Sequence, residues 1–145
     1  MELQSRLLAE DNVLLVTLHT PATTAQRALL AREIGLLARE HRPDALVIAL
    51  GQAAGTPAAI SVILRIHRYH LTTGIPFAAA SRVPAVRHLL NANQPSLPVH
   101  ANTNTALRTV RTLLRRRSNP RTPQPRPGSP AAAQAADQLV RAASS

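Results

Sequence analysis

Two histidines stand three residues apart in His67-Arg68-Tyr69-His70. On a helix, that spacing puts both imidazoles on one face, close enough to share a metal ion. No Cys exists and no carboxylate lies near the pair, so nothing completes a ligand set. His67 falls on the apolar side of its segment, where packing is expected and metal binding is not. Gly51-Gln52-Ala53-Ala54-Gly55-Thr56 joins an apolar run to a helix-like stretch, the place where phosphate loops occur. The Gly-Lys-Ser/Thr of such a loop is missing, and the chain has no Lys at all. No Ser/His/acid triad has a supporting signature, and the four Glu and three Asp suggest no carboxylate pair. A non-enzyme without cofactor or metal is therefore expected. What remains is hydroxyl chemistry at a helix start. Thr56-Pro57 reads as N-cap and first helical position. A hydroxyl there caps the helix or accepts a phosphate, whose charge would face free N–H groups. Ser61 lies a turn further in, where a small residue suits packing.

The charge is lopsided. All 17 basic residues are Arg, against 7 Asp+Glu, giving a formal net charge of +10. The dominance of Arg, Ala and Pro is the mark of GC-rich codons rather than of chemistry. Residues 1–114 hold 11 Arg and 6 carboxylates, whereas residues 115–145 hold 6 Arg and one carboxylate. Half of the excess thus sits in the last fifth of the chain, and the overall charge overstates any case for a nucleic-acid-binding domain. One Phe and one Tyr leave little for base stacking. The absence of Cys excludes disulfides and thiolate chemistry. No signal-peptide pattern and no apolar stretch of about 18 residues is visible, so a cytoplasmic protein with no membrane partner is expected.

The elements that position these residues follow from apolar periodicity. Val13-Leu14-Leu15-Val16-Thr17-Leu18 and Ala45-Leu46-Val47-Ile48-Ala49-Leu50 read as buried strands. Leu3–Ala9 is expected to pair with the first of them through a hairpin at Glu10-Asp11-Asn12. Residues 24–40 form an amphipathic helix stopped by Pro43. Thr56 opens a second helix, with Ile60, Ile63, Leu64, His67 and Leu71 inward and Gly74 as its C-cap. Residues 75–80 and 97–100 are short strands. Ser81 is expected to cap a third helix, and Asn102 or Thr103 a fourth with Leu107, Val110 and Leu114 on one face. The order β-β-α-β-α-β-α-β-α implies a mixed, mostly parallel sheet with helices packed on it, an α/β class. Five Pro in residues 120–130 forbid a helix there and bury nothing.

In order and spacing, residues 7–114 resemble the STAS domain, the module of bacterial anti-sigma factor antagonists and of sulfate-transporter C-terminal regions. Residues 13–18 look like the family's second strand and residues 44–50 like its central strand. Ile60-Ser61-Val62-Ile63-Leu64-Arg65-Ile66-His67-Arg68 looks like its signature helix, and residues 74–90 like the strand-helix unit that follows. The resemblance implies a regulatory protein-binding module whose partner is an anti-sigma factor, a serine kinase of the anti-sigma type or another STAS protein. In regulated members, an Asp-Ser-Ser-Gly-type turn opens the signature helix, and a Ser in it is phosphorylated. Here the matching stretch is Thr56-Pro57-Ala58-Ala59, and Ala58 aligns with the phosphorylated Ser. Ala has no oxygen to accept phosphate, so the usual switch cannot use that position. The family's acidic turn after the second strand is also lost at His19-Thr20-Pro21-Ala22.

The expectation is a single STAS-like domain over residues 1–114, followed by a basic, Pro/Ala-rich disordered tail over residues 115–145. Partner binding falls to Thr56, Pro57, Ala58, Ala59 and Ser61, and is constitutive rather than phosphate-gated. The alternative is an Arg-rich accessory protein that binds nucleic acid through its C-terminal tail. A small-molecule-sensing domain of the same fold is a third class, since fold alone does not decide function.

Overall fold

Runs of branched apolar residues bounded by turn residues become strands, and the structure, a computed structural model, places five of them in one sheet among the described residues, 2–118. The elements run β1 (Leu3–Leu8), β2 (Val13–Leu18), a 3-10 turn (Thr24–Gln26), α1 (Arg27–His41), β3 (Ala45–Leu50), α2 (Pro57–Thr73), β4 (Phe77–Ser81), α3 (Pro84–Asn93), β5 (Val99–His100) and α4 (Thr103–Ser118). The sheet order is β1-β2-β3-β4-β5. β1 pairs antiparallel with β2 through the expected hairpin, in register from Leu3 opposite Leu18 to Leu8 opposite Val13. β2, β3, β4 and β5 are mutually parallel.

This order has a consequence for the faces. Every parallel crossover steps in the same direction, and right-handed crossovers then put all their helices on one face. The main core agrees. Leu14, Val16, Leu46, Ile48, Phe77 and Ala79 from the strands meet Leu30 and Ile34 of α1, Ile60 and Ile63 of α2, and Val86 and Leu90 of α3. The opposite face has α4, whose Ala106, Leu107 and Val110 pack on Val13, Ala45, Val47, Ala49, Ala78 and Ala80. The small side chains of β3 and β4 on that face let the helix lie close. Central strand β3 is buried along its whole length, as its unbroken apolar run requires.

Local signals set most boundaries. Pro57 opens α2, and Gly74 closes it in the left-handed conformation, φ 73°. The Asn102 side chain accepts from the Thr105 amide at 2.9 Å and caps α4. Four details differ from the sequence reading. Leu71, expected inward on α2 with Ile60 and Ile63, is 59% exposed, because His70 takes the inward position in the last turn of the helix. The amphipathic segment begins as a 3-10 turn, with Gln26 reaching back to the Thr23 amide at 3.0 Å. Ser81 ends β4 instead of capping α3; its hydroxyl accepts from the Val83 amide at 3.2 Å, and Val83 is the N-cap residue. α4 continues to Ser118, past the expected boundary at 114. The tail expected beyond it lies outside the described residues from 119 onward.

Candidate functional site

Parallel strands end together, so β2, β3 and β4 deliver residues 19–23, 51–56 and 82–83 to one end of the sheet. The loop after β3 is tied down from its first residue. The Gly51 amide donates to the Leu18 carbonyl at 2.8 Å. A Cβ on Gly51 would sit 3.2 Å from that oxygen, which is why glycine suits this crossing. The Ala54 amide donates to Gly51 and the Thr56 amide to Ala54, each at 2.9 Å. Ala54 is fully buried. Gly55 lies against α3, where a Cβ would come within 2.5 Å of Val86 Cγ2. The loop is thus wedged between two elements.

Thr56 completes the junction. Its backbone is extended, and its hydroxyl accepts from the Ala59 amide at 3.3 Å, capping α2. The same hydroxyl donates its proton to the Ala22 carbonyl at 2.8 Å. Ala22 is a buried residue of the β2–α1 connection. That connection is itself tied to β1, through His19 Nε2 and Gln4 Oε1 at 2.8 Å and through the Glu2 amide donating to Thr20 Oγ1 at 2.7 Å. The stretch 19–22 thus spends its polar groups on holding the loop end together.

The five expected site residues share the start of α2 but not its surface. Pro57 is exposed, and Thr56 and Ser61 are half-buried. Ala58 and Ala59 are 5% and 1% exposed, so they face the core and present almost nothing to a partner. The accessible surface at this end is carried by Gln52, Ala53, Pro57 and Ser61, continued by Arg82 at the β4–α3 turn. Three residues shape the site through contacts that the sequence reading did not assign: Ala22, Gly55 and Val86. Their roles come from contacts between segments distant in the chain, for which an isolated Ala, Gly or Val carries no local signal.

The two α2 histidines are buried with Phe77. Ring centroids lie 5.9 Å apart for His67–Phe77 and 5.6 Å for His70–Phe77. His70 Nδ1 is 3.0 Å from the Ile66 carbonyl, whereas His67 Nδ1 is buried without a hydrogen-bond partner. Burial holds the His67 pKa below the ordinary histidine range, and the nearby His70 lowers it further. Burial also lowers the His70 pKa, partly opposed by its bond to Ile66. Among the described residues, no three His, Cys, Asp or Glu side chains are grouped to hold a metal. No described helix is long and apolar enough to cross a membrane.

No family model matches the chain. No curated protein matches it either. Solved structures do. A Ser-to-Glu variant of RsbS from Moorella thermoacetica superposes with a TM-score of 0.62 at 17% identity, covering 79% of this chain and 99% of the other. An anti-sigma factor antagonist from Mycobacterium paratuberculosis gives a TM-score of 0.60 at 23% identity, covering 76% of this chain and 95% of its own. A chain from the stressosome, a signal integration and transduction hub, gives 0.56 at 17% identity, covering 72% and 95%. At these identities the likeness is one of fold, and the fold is the STAS-like one that the resemblance of residues 7–114 implies.

Proposed function

We propose that this protein is a cytoplasmic, non-enzymatic regulatory module of the anti-sigma factor antagonist type, and that it binds its partner without a phosphate switch. The partner is an anti-sigma factor, a serine kinase of the anti-sigma type or another STAS protein. Binding resides in residues 1–114, through the loop 51–56 and the outward side of the first turns of α2. Two features of the fold support a binding role over catalysis. The sheet order is monotonic among the described residues, so it has no reversal of strand order of the kind at which doubly wound sheets hold nucleotides. The loop over those ends is filled by its own packing against Leu18, Ala22 and Val86.

One observation carries the ungated reading. Ala58 occupies the position that the resemblance assigns to the phosphorylated Ser, and it is 5% exposed with no oxygen to modify. The neighbouring candidate, Thr56, donates its hydroxyl proton to Ala22 while it accepts from Ala59, so phosphorylation there would remove the proton that ties the helix start to the β2–α1 connection.

The test is a pull-down from nuclease-treated native lysate with the tagged chain and with residues 115–145 deleted. Recovery by both forms of a histidine-kinase-like ATPase or a STAS protein is expected. Recovery of only ribosomal and nucleoid proteins, lost on deletion, would overturn the reading. Incubation with the captured kinase and ATP should leave the chain unmodified, and stoichiometric phosphate on Thr56 or Ser61 would overturn the ungated part.

A further inference from the structure

Charge is segregated along the folded domain. The six carboxylates of residues 2–118 are Glu2, Glu10, Asp11, Glu33, Glu40 and Asp44, so all lie in the first third of the chain. Residues 45–118 contain nine Arg and no carboxylate. Codon bias explains Arg in place of Lys, but it does not remove Asp and Glu. α1 shows what the same composition permits, since it mixes Arg27, Arg32 and Arg39 with Glu33 and Glu40. A face kept only for solubility intersperses both signs in this way.

The outward face of α2 has one sign. Its inward positions are Ile60, Ile63, His67 and His70. The opposite stripe runs Pro57, Ser61, Arg65, Arg68 and Thr72, at steps of three and four residues that bring side chains into line. The stripe spans 15 residue steps, about 22 Å at 1.5 Å rise per residue. Arg65 and Arg68 are exposed, and neither has a carboxylate partner among the described residues. Beside them Tyr69 is 65% exposed, although a tyrosine ring gains by burial. Arg and Tyr are the residue types most often found as energetic anchors of protein interfaces.

We propose that the outward stripe of α2, from Ser61 through Arg65, Arg68 and Tyr69 to Thr72, docks an acidic protein surface. The inference rests on the binding reading above and adds the chemistry of the partner. Loop 51–56 and Pro57 form the uncharged end of the contact. Arg65 and Arg68 supply the attraction and speed the encounter, and Tyr69 supplies the area to be buried. A nucleic acid fits less well, because one exposed tyrosine offers no stacking platform.

The test titrates the isotope-labelled full chain with a 20-residue poly-L-glutamate and, separately, with a duplex DNA of equal charge, at low salt, following backbone amide shifts. Polyglutamate is expected to move Ser61, Arg65, Arg68, Tyr69 and Thr72. The exposed double variant R65E/R68E is expected to weaken that binding about tenfold or more, and R65Q/R68Q less. Shifts confined to residues 108–145, an unchanged affinity in R65E/R68E, or equal or stronger α2 shifts with DNA would each overturn the inference. A natural partner captured equally by the native chain and by R65E/R68E would also overturn it while leaving the binding reading intact. Loss of capture by both would instead strike at the reading itself.

Discussion

The Thr56 hydroxyl donates to the Ala22 carbonyl at 2.8 Å across 34 residues of sequence, while it caps α2 at the Ala59 amide. One side chain thus satisfies a buried carbonyl and a free helix amide, and it joins the two connections that meet at the candidate site. Removing it leaves both without a partner.

Thr56→Ala is therefore expected to destabilise the fold by about 1–2 kcal/mol, the range for losing an N-cap hydroxyl. Thr56→Ser should recover most of that. Urea unfolding of the three chains, read as a shift of midpoint at constant slope, checks it. An alanine variant as stable as the native protein would show that the bond to Ala22 contributes nothing.

Gly55 faces Val86, where an added Cβ would come within 2.5 Å of Cγ2. Valine is branched and held in the core, so it cannot swing aside cheaply. Gly55→Ala is expected to cost about 1–3 kcal/mol by overpacking. Val86→Ala creates a cavity of its own, but the double variant should be more stable than the sum of the two costs predicts. Additive costs in a double-mutant cycle would mean that the loop moves away from α3 without penalty.

The buried histidines predict an acid sensitivity. Both are held below the ordinary histidine range when folded, while an unfolded histidine titrates at about 6.5. Below that pH the unfolded chain binds more protons than the native one, so stability falls as pH drops through this range towards the lower folded values. Above about pH 7 the contribution is fully present and stability should be flat. His67→Leu removes one of the two groups and should reduce the slope below about pH 7. The four histidines outside this pair stay in both chains, so the difference in slope reports His67 together with its effect on His70. Parallel curves for the two proteins would contradict the burial argument.

The face under α4 predicts a size limit. Ala78 is fully buried between the sheet and the helix that carries Ala106. Ala78→Leu should cost about 1–3 kcal/mol, because α4 must lift off its strand to admit the larger side chain. Leu113→Ala, at a half-buried position on the same helix, is expected to cost less. Differential scanning calorimetry on both variants would show the ordering, and a reversed one would mean that α4 packs loosely.

Sequence alone determined what depends on neighbours along the chain. Unbroken apolar runs placed β2 and β3, Thr56-Pro57 and Gly74 bounded α2, and the start of α4 was narrowed to Asn102 or Thr103, because strand burial, capping and chain reversal are set by a few consecutive residues. The order of those elements then left a mostly parallel sheet as the economical arrangement. Tertiary structure decided what depends on segments that meet only in space. Arg42 ends α1 in a left-handed conformation at φ 44°, and Asn12, itself at φ 54°, donates to its carbonyl at 3.0 Å from the hairpin 30 residues earlier. Pro43 marked that helix end in the sequence, but nothing local named Asn12 as its clamp. Ser81 looks like a cap by type and serves a turn, because β4 extends one residue further in pairing with Leu50. Ala58 and Ala59 stand at the expected helix start, yet the rotation of α2 against the sheet turns them inward and leaves the outward stripe to Ser61, Arg65 and Arg68. Which side of a helix meets a partner is fixed by what its other side must bury, and that is a property of the packed domain rather than of the segment.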